Sequence, residues 1–348
     1  MLTWKTQHIP EKELPYLIKK GEESLSKIHL VTGTAGFIGS HVAVALLHRG
    51  DMVIGIDNMN DYYDPARKRA NLEVIQNSVN GGNQFVFYQA DIRDLSLLDQ
   101  IFSRFPFASI VHLAAMAGVR ASIDDPYYYC DVNLLGTLNL LEKAKNCDVP
   151  NFVFASTSGV YGNTRTIPFI ETDHCDRPLA PYPASKRAAE MLGFSYHHLY
   201  QLNFTALRFF TVYGPRGRPD MMAYKVLDNI FFSKEVPLYN KGQMHRDWTY
   251  VADIVEGILS AIDRPMGYEI INLGRGEPVL LTDFVHFIEE LSGRTASLKQ
   301  APMESADIPY TYADINKARQ LLSYEPRISF REGVTNLYHW YKESVLPE

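Results

Sequence analysis

The sequence predicts an α/β protein, a doubly wound parallel sheet with a smaller C-terminal α/β substrate-binding domain. Three observations carry the prediction. Through the first half, short apolar runs alternate with helix-length segments, the rhythm of right-handed strand–helix–strand crossovers. A glycine turn, Thr32-Gly33-Thr34-Ala35-Gly36-Phe37-Ile38-Gly39, separates the apolar run Ile28–Val31 from the amphipathic run Ser40–Arg49. After Tyr213 the rhythm breaks into the rigid basic loop Gly214–Asp220 and shorter elements.

In chain order, Ile28–Val31 is the first strand, and Gly50 is a natural stop for the helix that follows the turn. Met52–Asp57 is a second strand. The aromatic-acidic loop Asn58–Asp64 precedes a helix over Pro65–Asn77, and Asn80–Asn83 is a turn. Gln84–Gln89 and Ser109–Leu113 are strands flanking a helix at Ser96–Phe105. Asp124–Asn146 reads as one long helical region, and Asn151–Ala155 as the strand after it. A helix over Ser185–Tyr200 leads to a strand at Thr205–Phe210. The second half adds helices at Met221–Phe232 and Val251–Ile262 and a strand at Tyr268–Leu273. A helix capped by Thr282 runs to Leu291, and a last one spans Phe330–Glu343. The expected division is an extension over 1–26, a Rossmann-type domain over 27–213, and a second domain over 214–348. Segments near 244–274 are expected to return to the first domain.

Bulk properties narrow the function classes. The 348 residues, 46% hydrophobic, suffice for a large core. With net charge −6 and no basic run interleaved with aromatics, a nucleic-acid partner is not expected. Apolar runs are too short to span a bilayer, and Met1–Lys27 lacks the apolar core of a secretion signal, so the expectation is a cytoplasmic protein with no membrane partner. Cys130, Cys147 and Cys175 are too far apart for a metal pair, and the eleven histidines show no metal-binding spacing, so no metal is expected.

The chemistry gathers at strand ends, where ligands of such sheets bind. Backbone N–H groups at the helix start after Gly33, Gly36 and Gly39 attract a pyrophosphate. Asp57, at the end of the second strand, suits the adenosine ribose hydroxyls. Three further clusters end strands or open helices: Ser156-Thr157-Ser158, Tyr182-Pro183-Ala184-Ser185-Lys186, and Arg208-Phe209-Phe210-Thr211. Tyr182 and Lys186 are four apart and share a face if Pro183 lies in the first helical turn. An ammonium beside the phenol is expected to lower the tyrosine pKa and make it a general base. Thr157 can bond the same substrate oxygen while hydride leaves for a nicotinamide.

With these residues the chain resembles the extended short-chain dehydrogenase/reductase family, the NAD-dependent nucleotide-sugar epimerases and dehydratases. The resemblance runs from about Lys27 to the C-terminus and includes His112-Leu113-Ala114-Ala115, Gly136-Thr137 and Arg246-Asp247. It implies NAD contacts at Gly33, Gly36, Phe37, Ile38, Gly39, Asp57, Asn58, Asp91, Ile92, Leu113, Ala114, Ala115, Asn133, Tyr182 and Lys186. It implies catalysis by Thr157, Tyr182 and Lys186, and a homodimer formed by pairing Asp124–Asn146 and Ser185–Tyr200 with their copies. Within the family, Asp57–Asp64, Ala114–Arg120 and Arg208–Met221 are most similar to UDP-glucuronic acid 4-epimerases. A sugar carboxylate needs a multi-donor partner, and Arg218 with the hydroxyls of Ser158 and Thr211 is the candidate clamp. Arg246 is placed at the UDP pyrophosphate, Arg120 at phosphate or carboxylate, and Asp307 at the uridine ribose.

Departures from the family pattern separate the alternatives. Related 4,6-dehydratases carry an Asp-Glu pair after the catalytic threonine, where this chain has Ser158-Gly159. Related decarboxylases carry a glutamate at the position of Gly159. UDP-glucose and UDP-N-acetylhexosamine 4-epimerases share the catalytic trio and stay open as alternatives. A non-catalytic NAD-binding regulator would typically lose the Tyr182/Lys186 pair. Ser305-Ala306-Asp307 stands where the family often has Pro-Gly-Asp, which weakens the ribose assignment of Asp307.

Overall fold

The computed structural model describes residues 26–346, so nearly all of the expected extension over 1–26 lies outside the described residues. The first half supplies β1 (Ile28–Thr32), α1 (Phe37–His48), β2 (Met52–Asp57), α2 (Pro65–Gln76), β3 (Phe85–Gln89), α3 (Leu95–Phe102), β4 (Ser109–His112), α4 (Gly136–Asn146), β5 (Asn151–Thr157), α5 (Pro181–Tyr200) and β6 (Asn203–Phe209). The second half adds β7 (Thr211–Tyr213), α6 (Met222–Phe231), β8 (Glu235–Tyr239), β9 (His245–Tyr250), α7 (Val251–Asp263), β10 (Tyr268–Leu273), β11 (Pro278–Leu280), α8 (Leu281–Ser292), β12 (Ser297–Ala301), β13 (Tyr310–Thr311), α9 (Asn316–Leu322) and α10 (Phe330–Ser344).

Every residue of β1 and β2 is buried, as strands covered on both faces must be. They sit in a seven-stranded sheet of order β3–β2–β1–β4–β5–β6–β10, parallel at every pairing. One face packs on α3, α4 and α5 through Leu98, Ile101, Leu140, Leu141 and Ala189. The other packs on α1, α2 and α7 through Val42, Leu46, Leu72, Ile254 and Ile258. The chain reverses direction across the sheet between β1 and β4, which opens a crevice beyond their carboxyl ends. Of the stretch 244–274, α7 contributes to that second face and β10 pairs with β6, whereas β9 centres a smaller sheet with β7, β11 and β13. Trp248 stacks on Phe284 at 4.6 Å in the core of this second layer.

Four local expectations need correcting. The single helix expected over 124–146 is broken: Asp125 leaves the helical region at φ −136°, because the following Pro126 disfavours helix there. A short helix and a π-helical turn at Asp131–Leu135 follow before α4. Thr282 does not cap α8, since the backbone stays extended to Leu280 and the helix starts at Leu281. The Asn80–Asn83 turn is one helical turn at Gly81–Gln84, entered by Asn80 at φ +63°. Finally, α5 begins four residues earlier than Ser185, with Pro181 in its first turn, which places Tyr182 inside the helix.

Candidate active site

The glycine turn joins β1 to α1 at the crevice. Gly33 adopts φ +70°, and a Cβ there would lie 2.8 Å from the Ala114 backbone N. A Cβ on Gly39 would stand 2.1 Å from the Gly33 carbonyl, so only glycine lets α1 start this close to the strand. A cavity of about 400 Å³ opens beyond the strand ends. At one end it is lined by Gly33, Gly36, Phe37, Ile38, Gly39, Asp57, Asn58, Asp91, Ile92, Leu113, Ala114 and Ala115. At the other it is lined by Thr157, Ser158, Tyr182, Lys186, Thr211 and Arg218. The structure therefore brings both sets, far apart in sequence, into one space.

Asp57 accepts the Met59 N–H at 2.9 Å and lies 3.4 Å from the Lys68 ammonium, which also donates to Asn60 at 2.9 Å. Lys68 was not expected; no spacing announces it, because α2 folds back over β2 to deliver it. Asp91 accepts from Arg93 and from Asn58, and the Arg93 bonds hold its carboxyl down at about 2 against the effect of burial. A directed hydrogen-bond chain fixes the end of β4. Thr137 donates to Asn133 O, so it accepts from His112 Nε2–H at 2.9 Å. His112 Nδ1 then accepts from Thr32, whose oxygen accepts the Ala114 N–H at 3.1 Å. Burial, aided by the Lys186 charge, keeps His112 neutral.

Asn133 does not line the cavity. It is fully buried, exchanges hydrogen bonds of 2.8 and 2.9 Å with the Met116 backbone, and reaches Ser185 at 3.0 Å. Its role is to brace the Met116 segment that does line the cavity.

At the other end of the cavity, Thr157 accepts the Gly159 N–H at 3.1 Å, and its hydroxyl faces the Tyr182 phenol. The phenol pKa is raised, not lowered: burial dominates, and the Arg218 charge and the neighbouring Thr157 hydroxyl oppose it. The expected lowering by Lys186 is thus corrected. The Lys186 ammonium lies 4.6 Å over the Phe154 ring with no hydrogen-bond partner among the described residues. Burial drives it down to about 7, with Glu190 opposing. A buried donor without an acceptor, aimed into a cavity, fits a ligand that brings hydroxyl oxygens. Together with the glycine cradle and Asp57, this donor set suits a nicotinamide dinucleotide.

One turn beyond Lys186, the fully buried Glu190 accepts from Ser156 at 2.5 Å, from Arg187 at 2.9 Å, and from Arg208 at 3.0 and 2.9 Å. This pairing was not anticipated, although Tyr182, Lys186 and Glu190 repeat at four-residue steps.

Arg218 lines the cavity, and both Asp220 oxygens hold it, at 3.0 and 2.8 Å. Tyr129 packs edge-on against Tyr182 at 6.2 Å. Arg120, Arg246 and Asp307 form a separate cluster outside the residues lining the cavity. Arg120 pairs with Asp307 at 2.7 Å and stacks on Tyr239 at 3.9 Å. Burial lowers the Arg246 pKa, Asp307 opposes it, and Arg120 adds to it.

Fold and site together define an extended short-chain dehydrogenase/reductase. The family model described as GDP-mannose 4,6 dehydratase matches residues 30–337, and the chain belongs to that family. It is 43% identical to UDP-glucuronate 4-epimerase of Thermodesulfobacterium geofontis over 91% of this chain and 97% of that one. Among solved structures it resembles UDP-glucuronic acid 4-epimerase from Bacillus cereus in complex with UDP-glucuronic acid and NAD. The TM-score is 0.83 at 34% identity, covering 91% of this chain and 99% of that one. UDP-glucose 4-epimerase from Thermotoga maritima, solved with UDP-glucose, matches with TM-score 0.83 at 30% identity, covering 92% and 100%.

Proposed function

We propose that the protein is an NAD-dependent 4-epimerase that converts UDP-glucuronic acid to UDP-galacturonic acid through a 4-keto sugar. The observation that carries the reading is Arg218 in the same cavity as Tyr182, close enough for its charge to act on the phenol. The names of the relatives support the reaction class.

The glycine turn and Asp57 would hold the dinucleotide, and the Lys186 ammonium would bond the ribose next to the nicotinamide. Bound there, NAD supplies a hydride acceptor and donor. Tyr182 takes the C4 hydroxyl proton and returns it to the oxygen after the sugar has turned over. Thr157 holds that oxygen in line with the phenol. The 4-keto uronate is a β-keto acid. Arg218, Ser158 and Thr211 would hold its carboxylate near the sugar plane, where its C–C bond cannot align with the carbonyl π system. Arg246 and Arg120 are assigned to the pyrophosphate side, and Asp307 beside them to the uridine ribose.

The neutral-sugar alternative draws on one observation, that Asp220 already holds Arg218. Incubation with UDP-glucuronic acid, read by NMR, separates the readings. UDP-galacturonic acid supports the proposal; a UDP-pentose with carbon dioxide shows decarboxylation. Turnover of UDP-glucose or UDP-N-acetylglucosamine alone refutes the carboxylate assignment.

A homodimer belongs to the same proposal. Tyr127, Leu135, Met191, Phe194 and Leu199 are exposed apolar side chains on the 126–146 region and on α5. Sedimentation of Phe194→Glu tests it: a monomer is expected, and an unchanged mass refutes it.

A further inference from the structure

Arg218 is not held by one contact. Its Nε and Nη2 donate to the two oxygens of Asp220, a side-on fork that fixes the guanidinium plane. The same guanidinium lies 5.6 Å over the Tyr62 ring, and the Tyr62 hydroxyl donates to Asp220 Oδ2 at 3.4 Å. A Cβ on Gly118 would lie 2.8 Å from that hydroxyl, so the loop after β4 hems in the brace from a third side. A guanidinium carries five N–H groups, and Asp220 engages the Nε/Nη2 edge, while Nη1 makes no hydrogen bond among the described residues. Arg218 and Tyr62 both line the cavity; Asp220 does not.

We infer that Asp220 and Tyr62 are positioning residues that preset Arg218 so that its Nη1/Nη2 edge receives a sugar carboxylate. The inference rests on the functional reading above and adds residues to it. Asp220 buttresses the arginine and does not compete for it. Displacing Asp220 would leave a half-buried carboxylate facing only a phenol, whereas an anion at the second edge leaves the first fork intact. A neutral sugar places no anion on that edge, so the brace separates charged from uncharged substrates.

The test is equilibrium binding and steady-state kinetics of the NAD-loaded enzyme with UDP-glucuronic acid and UDP-glucose, for wild type, Asp220→Asn and Tyr62→Phe. For Asp220→Asn the preference for the uronate should fall about tenfold, chiefly through KM and not kcat, because ground-state placement is what it loses. Tyr62→Phe removes one oxygen and should move the preference the same way by about threefold, which also covers an Asp220 variant that fails to fold. An unchanged preference, or tighter uronate binding, in a folded Asp220→Asn overturns the brace; the second outcome marks Asp220 as a competitor. A wild-type enzyme with no preference for the uronate overturns the functional reading and the brace together.

Discussion

Replacing Glu190 by Gln tests how the floor of the site is built. Glu190 and Arg208 are both fully buried, and the carboxylate engages Arg208 through two bonds of 3.0 and 2.9 Å. Arg208 makes no other salt bridge among the described residues, and its Nη1 is already without a hydrogen-bond partner. Removing the charge therefore strands a guanidinium in the interior, which costs about 3–5 kcal/mol. Replacing both partners with apolar residues of similar volume, Glu190→Leu with Arg208→Met, should restore most of that loss. Guanidinium denaturation of the wild type, the single variant and the pair measures it. Turnover should not recover with stability in the pair. Ser156, which precedes Thr157, loses its acceptor, and Lys186 loses the carboxylate that favours its charged form. A single variant within about 1 kcal/mol of wild type would falsify this account.

Other expectations follow from the same geometry. Lys186 ionises near 7 in the fold against 10.5 when exposed, so above pH 7 the unfolded chain binds more protons and its share of stability rises with pH. The difference in stability between wild type and Lys186→Met should therefore climb with pH above 7, reaching about 1.4 kcal/mol per pH unit between pH 8 and 9, read by denaturation of cofactor-free protein; a flat difference refutes the lowering of its pKa by burial. Gly39→Ala drives a methyl to 2.1 Å from the Gly33 carbonyl. The purified variant should lose bound dinucleotide, measured by its release on denaturation, and a full complement would show that the turn tolerates a side chain. Tyr182→Phe should lower kcat by about 10²–10⁴ while retaining dinucleotide. Near-wild-type turnover would remove the phenol from the chemistry.

Much of the main sheet was legible because its strands are buried on both faces, so they read as unbroken apolar runs separated by helix-length segments. β2 and β10 match their expected bounds residue for residue. The glycine turn was legible because helix start, tight turn and close packing each demand glycine at a fixed step. The break at Asp125–Pro126 was missed, although Pro126 stands in the sequence, because the apolar pattern continues across it. Strands β8 and β12 were not resolved as a pair, since their paired residues are 62 positions apart and one strand is exposed over four of its five positions.

Local chemistry in the chain was enough to determine the glycine cradle, the acid at the end of β2 and the Tyr182/Lys186 step, because each depends on neighbours within one turn or one strand. Tertiary structure decided what those groups experience. Burial raises the Tyr182 pKa and lowers that of Lys186, reversing the simple expectation from their spacing. Long-range folding joined Arg218 and Tyr62, 156 positions apart, and placed Lys68 beside Asp57. Solvent exclusion and the company a charge keeps are properties of the packed molecule, and no spacing along the chain records them.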